Sequence, residues 1–342
     1  MKIIVLQDHL RSGGTERQSV LLANAFAAAG HESTLITFRP GGALAHSVSP
    51  QVTRVSLQPF DFKIDWAAPG LRSRVRNAAP DVILCMGRMA NCYAGSLQRD
   101  LPQTAVIATM RTGKNLPTRY HRSLATVRHI VANSHDAHDT LVRIYRVNAA
   151  RIAVILNSLV FPATAAEPRD PPFRAQFGAG PRTVVLFCVA MFRPEKNQRE
   201  LIEIAQGLPA DLDWQLWLAG DGPARAACEQ LVMTRNLGQR VKFPGFLRDP
   251  VPLYRAADIA VHASSSEALS NFLIEAQAHG LPVVAYAAQG IAECFIPNRT
   301  GWMIPRGQAD AFRAAILRLH HAPAADREAL ALAAKSFACR TF

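Results

Sequence analysis

DIAVHASSSEALSNFLIEAQAHG, residues 258–280, joins a strand, a loop and a helix in one short stretch. Residues 258–262 set Ile259, Ala260 and Val261 in a brief apolar run, which predicts a buried strand. Small polar residues follow up to Glu267, as a loop requires. Ser270 or Asn271 is suited to cap a helix. Phe272, Leu273, Ile274 and Ala276 then carry that helix to Gly280, a residue type that stops helices. A strand feeding through a polar loop into a helix is one half-unit of a parallel sheet.

The same half-unit recurs in both directions along the chain. KIIVLQ, TLITF, DVILCM, TAVIAT, HIVANS and RIAVI read as strands in the first half. TVVLFCVA, WQLWLAG, VKFPG, DIAVHA and PVVAYA read as strands in the second. Runs such as 82–84 and 184–187 are continuously apolar, which marks strands covered on both faces. Helix-length segments separate them, such as 17–29, 137–145, 198–207 and 224–236. The rhythm stops at residues 161–181, which carry five prolines and few large apolar residues, and then restarts. The expectation is an α/β chain of two Rossmann-like domains facing a cleft. Residues 1–160 form the first domain, 161–181 a linker, 182–325 the second domain and 326–342 a short C-terminal segment. Ligands of such sheets bind outside the carboxyl ends of the strands.

Composition narrows the class. The chain has 342 residues, 49% of them apolar, enough for two cores. No apolar stretch reaches the roughly 18 residues of a spanning helix. The opening MKIIVL runs straight into Gln7-Asp8-His9 and reads as a first strand, not a leader peptide. Six scattered cysteines without a paired motif suit a reducing cytosol and speak against zinc. Residues 1–160 hold 19 Lys/Arg against 9 Asp/Glu, while 161–342 hold 19 against 17. The basic first half predicts an anionic partner: a phosphate-bearing substrate or an anionic lipid surface. Nucleic acid is not expected, because no aromatic platform or basic tract accompanies the charge.

Several motifs fall at predicted strand ends. Gly13 and Gly14 lie between the first strand and first helix, where backbone N–H groups can meet an anion; an ordinary tight turn would look the same. Lys196 follows the strand 184–190 and could neutralise a departing diphosphate, or be a solvated loop charge. Gly220 lies in GDGP, which by itself is turn chemistry. Glu267 would stand on the loop before the helix of residues 271–280, and Glu275 on its first turns. The apolar surroundings of Glu275 argue against a purely solvated role. Asp211 and Asp213 imitate a metal-binding pair but precede a strand, at the wrong end for the cleft. His9, His121, His129 and His262 are isolated from any Ser or Cys nucleophile motif; only His9, beside the glycine turn, is kept as an acceptor-side candidate.

These residues also carry a resemblance. PEKN, LAGDGP, VKFPGF, the string 253–286 and Gly301-Trp302 resemble the family-four retaining glycosyltransferases of GT-B fold. GGTERQSVLLANAFAAAGHE, HIVANS and VILNS in the first half fit as well. The spacing of Glu267 and Glu275 matches that family's Glu-x7-Glu motif. The resemblance implies a nucleoside-diphosphate sugar as donor, UDP-linked by preference, and a glycan or lipid-linked acceptor in envelope polysaccharide or lipopolysaccharide synthesis. It implies that Glu267 meets the donor sugar, Glu275 the ribose and Lys196 the diphosphate. Leu269, Ser270, Asn271, Phe272, Gly13 and Gly14 would add backbone contacts, with Gly220 and Gly245 nearby and the base close to residues 243–247. Transfer would retain configuration without a metal or cofactor.

The family often reads Gly-Arg where this chain has Ala190-Met191, and Arg193 is the expected substitute. Relatives often carry a last helix back to the first domain, whereas this sequence ends on AKSFACRTF. His9, Arg88, Asn91 and Arg111, with Lys114 beside them, are the expected acceptor-side residues. Work at the inner face of the cytoplasmic membrane is expected, with Arg72, Arg74, Arg76, Arg119, Arg122 and Arg128 on anionic lipid. The competing readings are a nucleotide-sugar epimerase of the same fold and a non-catalytic nucleotide-sugar-binding subunit.

Overall fold

The structure, a computed structural model, describes residues 1–159 and 171–342. The chain divides into two compact units, Met1–Asn157 and Ser158–Phe342. Each unit is built on one sheet whose strand pairs are all parallel.

The first sheet holds β1 (Lys2–Gln7), β2 (Glu32–Thr37), β3 (Thr53–Ser56), β4 (Val82–Cys85), β5 (Ala105–Met110), β6 (His129–Ala132) and β7 (Ile152–Val154), in the order β3-β2-β1-β4-β5-β6-β7. The second holds β8 (Val184–Val189), β9 (Trp214–Ala219), β10 (Val241–Gly245), β11 (Ile259–His262), β12 (Val283–Tyr286) and β13 (Gly301–Ile304), in the order β10-β9-β8-β11-β12-β13. Both are doubly wound. In each the strand order reverses beside the unit's first strand, between β1 and β4 and between β8 and β11.

Burial explains the apolar runs. Every residue of β9, β11 and β12 is buried, because helices cover both faces of the sheet. Two strands escaped the sequence reading. β3 is an edge strand of mostly exposed residues, and β13 is four residues that begin on a glycine. Neither offers the continuous apolar run of strands such as β4 and β8.

The expected linker needs correction. Its residues 161–170 lie outside the described residues, but Pro171–Gln176 is a helix of the second unit. Proline is favoured in the first helical turn, so the prolines that suggested a linker also start this helix. Phe173 and Phe177 set their rings on Trp217, at 6.3 and 4.8 Å. Arg174 is buried and donates to the Ala256 carbonyl at 2.7 Å and to Asp258 at 3.2 Å. The expected short terminal segment is the second correction. Ala324–Thr341 is an 18-residue helix packed on the helix Asn271–Ala278. A Cβ at Gly280, just past the latter helix, would lie 3.2 Å from Ala331 Cβ. Among the described residues no helix is long and apolar enough to cross a membrane.

Candidate active site

The switch point between β8 and β11 gathers the second unit's functional side chains at the carboxyl edge of its sheet. β8 runs out into Met191, Phe192 and Arg193, then the single turn Pro194–Lys196. β11 ends on His262 and continues through three serines to Glu267. The two loops are tied together at one carbonyl. Glu195 O accepts from Ser265 N at 2.8 Å and from Ser264 Oγ at 3.0 Å. This tie explains the serine run, since it fixes Lys196 against the loop that carries Glu267.

Glu267 is the centre of the site. Its Oε1 accepts from Lys196 Nζ and, at 2.9 Å, from His262 Nε2. The His262 side chain is 2% exposed and that of Glu267 10%. Burial alone would raise the Glu267 carboxyl; the Lys196 charge and the His262 hydrogen bond outweigh it and hold the group down at about 2. Glu267 is therefore a fixed carboxylate, unsuited to proton transfer near neutrality. Both contacts fall on Oε1, which leaves Oε2 to accept from a ligand.

The helix Asn271–Ala278 begins beside this carboxylate. Ser270 occupies its N-cap position but makes no capping bond with its side chain. Its backbone N–H instead meets Cys294 Sγ at 3.4 Å. Leu269 and Phe272 are buried, and the Phe272 ring lies 5.7 Å from Phe187 and 5.9 Å from His262. Leu269 and Phe272 thus anchor the loop through their side chains. Asn271, half-buried, leads the helix. Glu275, one turn in, accepts at 2.5 Å from the hydroxyl of Tyr254, a buried residue of the helix Val251–Ala256.

The glycines shape the neighbouring turns. Gly220 has φ +131°, and a Cβ there would lie 2.1 Å from the Ala190 carbonyl oxygen. Its N–H donates to Gly245 O at 2.7 Å, linking the carboxyl ends of β9 and β10. Gly220 and Gly245 accordingly act as backbone joints of the site wall. Arg193 is half-buried, and its carbonyl accepts from Lys196 N at 2.9 Å.

In the first unit the corresponding switch point lies between β1 and β4. Asp8, directly after β1, accepts from Met89 N at 3.0 Å and Ala90 N at 2.7 Å, at the start of the helix Ala90–Asp100. Burial pushes its carboxyl up to about 7 against those two hydrogen bonds. His9 meets the Pro40 carbonyl at 3.2 Å. Burial lowers its imidazole, and the charges of Arg39 and Arg11 lower it further. Gly13 takes the N-cap position of the helix Gly14–Ala28 with an ordinary φ of −79°, and a Cβ there would lie 2.5 Å from the Glu16 carboxylate, so its missing side chain makes room for that group. Arg88 is exposed and reaches Asn115 O at 2.5 Å. Arg111 is half-buried, bonded to Asn157 Oδ1 at 2.5 Å and lowered by burial to about 10.

Asn91 is corrected from an acceptor contact to a brace. It is 1% exposed, donates to Gly87 O at 2.8 Å and accepts from Thr109 N at 2.9 Å. Both ends of its amide are engaged inside the unit. His262 is corrected in the other direction, from discarded to central. Its place as the last residue of a buried strand at the switch point was the signal that could have found it. Tyr254 and Asp8 were also missed. Asp211 and Asp213 border a cavity of about 1000 Å³ at the amino ends of the strands, away from Glu267.

Comparison with known proteins follows the same division. Residues 12–159 match "Glycosyltransferase Family 4" and residues 170–337 match "Glycosyl transferases group 1". The chain is 28% identical over 322 residues to the lipopolysaccharide core biosynthesis glycosyltransferase LpsD of Rhizobium meliloti (strain 1021), covering 91% of this chain and 86% of that protein. It is 32% identical over 143 residues to LpsE of the same strain, covering 42% of this chain and 41% of that one. Among solved structures, Anabaena Alr3699/HepE in complex with UDP and glucose superposes with a TM-score of 0.83 at 21% identity, covering 100% of this chain and 95% of that one.

Proposed function

From the premise that the chain belongs to the group 1, family 4 glycosyltransferases, we propose that it moves a sugar from UDP to a glycan or lipid-linked acceptor of the bacterial envelope, with retention of configuration. The observation that carries this reading is the Lys196–Glu267–His262 set at the switch point of the second sheet. The names of the LpsD and LpsE relatives support a lipopolysaccharide-type acceptor. The UDP and glucose held by the Anabaena structure support the donor.

In this mechanism Glu267 grips a hydroxyl of the donor sugar through Oε2, while Lys196 and His262 fix the carboxylate. Lys196 and Arg193 meet the diphosphate, whose charge grows as its bond to the anomeric carbon breaks. Backbone N–H groups of Leu269, Asn271 and Phe272 add to that field, that of Ser270 being engaged by Cys294. Glu275, held by Tyr254, takes the ribose. The acceptor oxygen attacks the same face of the anomeric carbon, and its proton passes to the departing diphosphate. Lys196 supplies the positive charge, so no metal is required. The basic first unit selects the acceptor at an anionic inner-membrane face.

In purified protein, Lys196→Ala and Glu275→Ala should each slow transfer on the order of a hundredfold or more. Near wild-type rates in both would remove the assignment. A thermal-shift screen against UDP-, GDP- and ADP-sugars should single out the donor, because only a ligand of the folded state raises its stability. Products formed from donor alone would favour an epimerase, and donor binding without turnover a non-catalytic subunit.

A further inference from the structure

The segment from β3 to the helix Leu71–Ala78 turns large apolar side chains outward. Phe60, Phe62 and Trp66 are 72%, 57% and 63% exposed, with Ile64 between them at 37%. These side chains are held from beneath by a dense set of polar contacts. Arg39, 8% exposed, donates to both oxygens of Asp61 at 2.7 and 2.9 Å and to Asp65 at 2.7 Å. Arg11 adds bonds to Asp65 at 2.7 and 2.8 Å. The buried amide of Gln58 donates to the carbonyls of Ile64 and Ala67 at 2.7 and 2.8 Å, and Tyr93 OH donates to Trp66 O at 2.7 Å. The aspartates meet arginines of the body while the apolar residues alternating with them face water.

Phe60 and Phe62 set their rings 6.3 Å apart, and large apolar side chains turned outward together on one firmly fixed loop mark an interaction surface. Charge selects the occupant. Both acidic residues of the loop are neutralised by Arg11 and Arg39. Lys63 in the loop and Arg72, Arg74 and Arg76 on the next helix are exposed, with Arg72 also reaching Asp100 at 3.2 Å. Tryptophan and phenylalanine bordered by exposed cations have the composition that settles in the headgroup layer of an anionic bilayer.

We propose that residues 58–70 form a rigid wedge that enters an anionic membrane surface, with Arg72, Arg74 and Arg76 resting on lipid phosphates. This rests on the proposed work at a membrane face and adds the element that grips it. The loop leaves the carboxyl edge of the first sheet, the edge that also carries Asp8 and His9. A lipid-linked acceptor would thus be offered to that edge from the bilayer holding the wedge.

The full chain is tested by flotation with vesicles of equal parts phosphatidylglycerol and phosphatidylcholine, and with phosphatidylcholine alone. Wild type should partition to the anionic vesicles. The Phe60→Ser, Phe62→Ser, Trp66→Ser combination should lose about tenfold or more of that partitioning while keeping its thermal midpoint. Brominated lipid should quench a tryptophan signal in wild type that Trp66→Phe lacks. Equal partitioning of the triple variant overturns the wedge and leaves only an electrostatic surface. No flotation of wild type overturns both the wedge and the membrane placement. A lipid-free dimer that the triple variant dissolves, in a protein that does not float, assigns the patch to a second copy and overturns the proposal. Sugar transfer to a water-soluble acceptor is measured separately, so its failure would touch the enzymatic reading alone.

Discussion

Glu267 illustrates how a residue's role depends on its immediate partners. Two glutamates eight apart suggest an acid and a base until their environments are known. With Lys196 and His262 on one oxygen, the carboxyl stays ionised down to about 2. Its folded value lies below the ordinary 4.5, so its stabilisation is fully present above that value and is lost as pH falls from about 4.5 toward 2. Acid unfolding followed by circular dichroism should therefore show wild type exceeding Glu267→Gln by up to about 3 kcal/mol above pH 5 and the two converging near pH 2. A constant difference between the two across that window would contradict the ion pair. Asp8 shows the opposite balance. Burial dominates there, and a carboxyl that accepts two backbone N–H groups still rises to about 7.

At the scale of elements, the site depends on loops that follow parallel strands and are fastened to each other. The tie from Glu195 O to Ser264 and Ser265 joins the β8 and β11 loops, and Gly220 N to Gly245 O joins those of β9 and β10. Gly290 fastens the loop after β12. Its φ is +70°, and a Cβ there would lie 1.9 Å from Ala268 O, immediately beside Glu267. Its carbonyl also accepts from Cys294, whose sulfur receives the Ser270 N–H. Gly290→Ala should cost about 1–2 kcal/mol from the left-handed backbone alone, and more from the clash. It should also weaken donor binding, because the backbone that carries Glu267 must shift. A chemical denaturation midpoint and donor titration equal to wild type would show that the loop yields freely. These joints are visible in the sequence only as glycines and serines, which turns everywhere also use.

At the scale of the whole molecule, stability should follow the covering of the sheets. β9 and β12 are buried throughout, while β3 is an exposed edge. Hydrogen exchange should be slowest at the amides of β9 and β12 and fastest among the strands at β3; similar protection in all three would contradict this layering. The sequence by itself determined the α/β class, the restart into a second unit, eleven of the strands, the positions of Lys196 and Glu267 on loops after strands, and that of Glu275 in the helix that follows. Those features are local: an apolar run, a cap or a proline cluster acts over a few neighbouring residues. Tertiary structure alone decided that residues 171–176 belong to the second unit, that Asn91 is a brace and that His262 shares the carboxylate of Glu267. It also decided that Phe60, Phe62 and Trp66 point outward although their composition suggests a core. Each of these depends on which strands lie side by side, and the strand order brings together residues that the chain keeps up to about eighty positions apart.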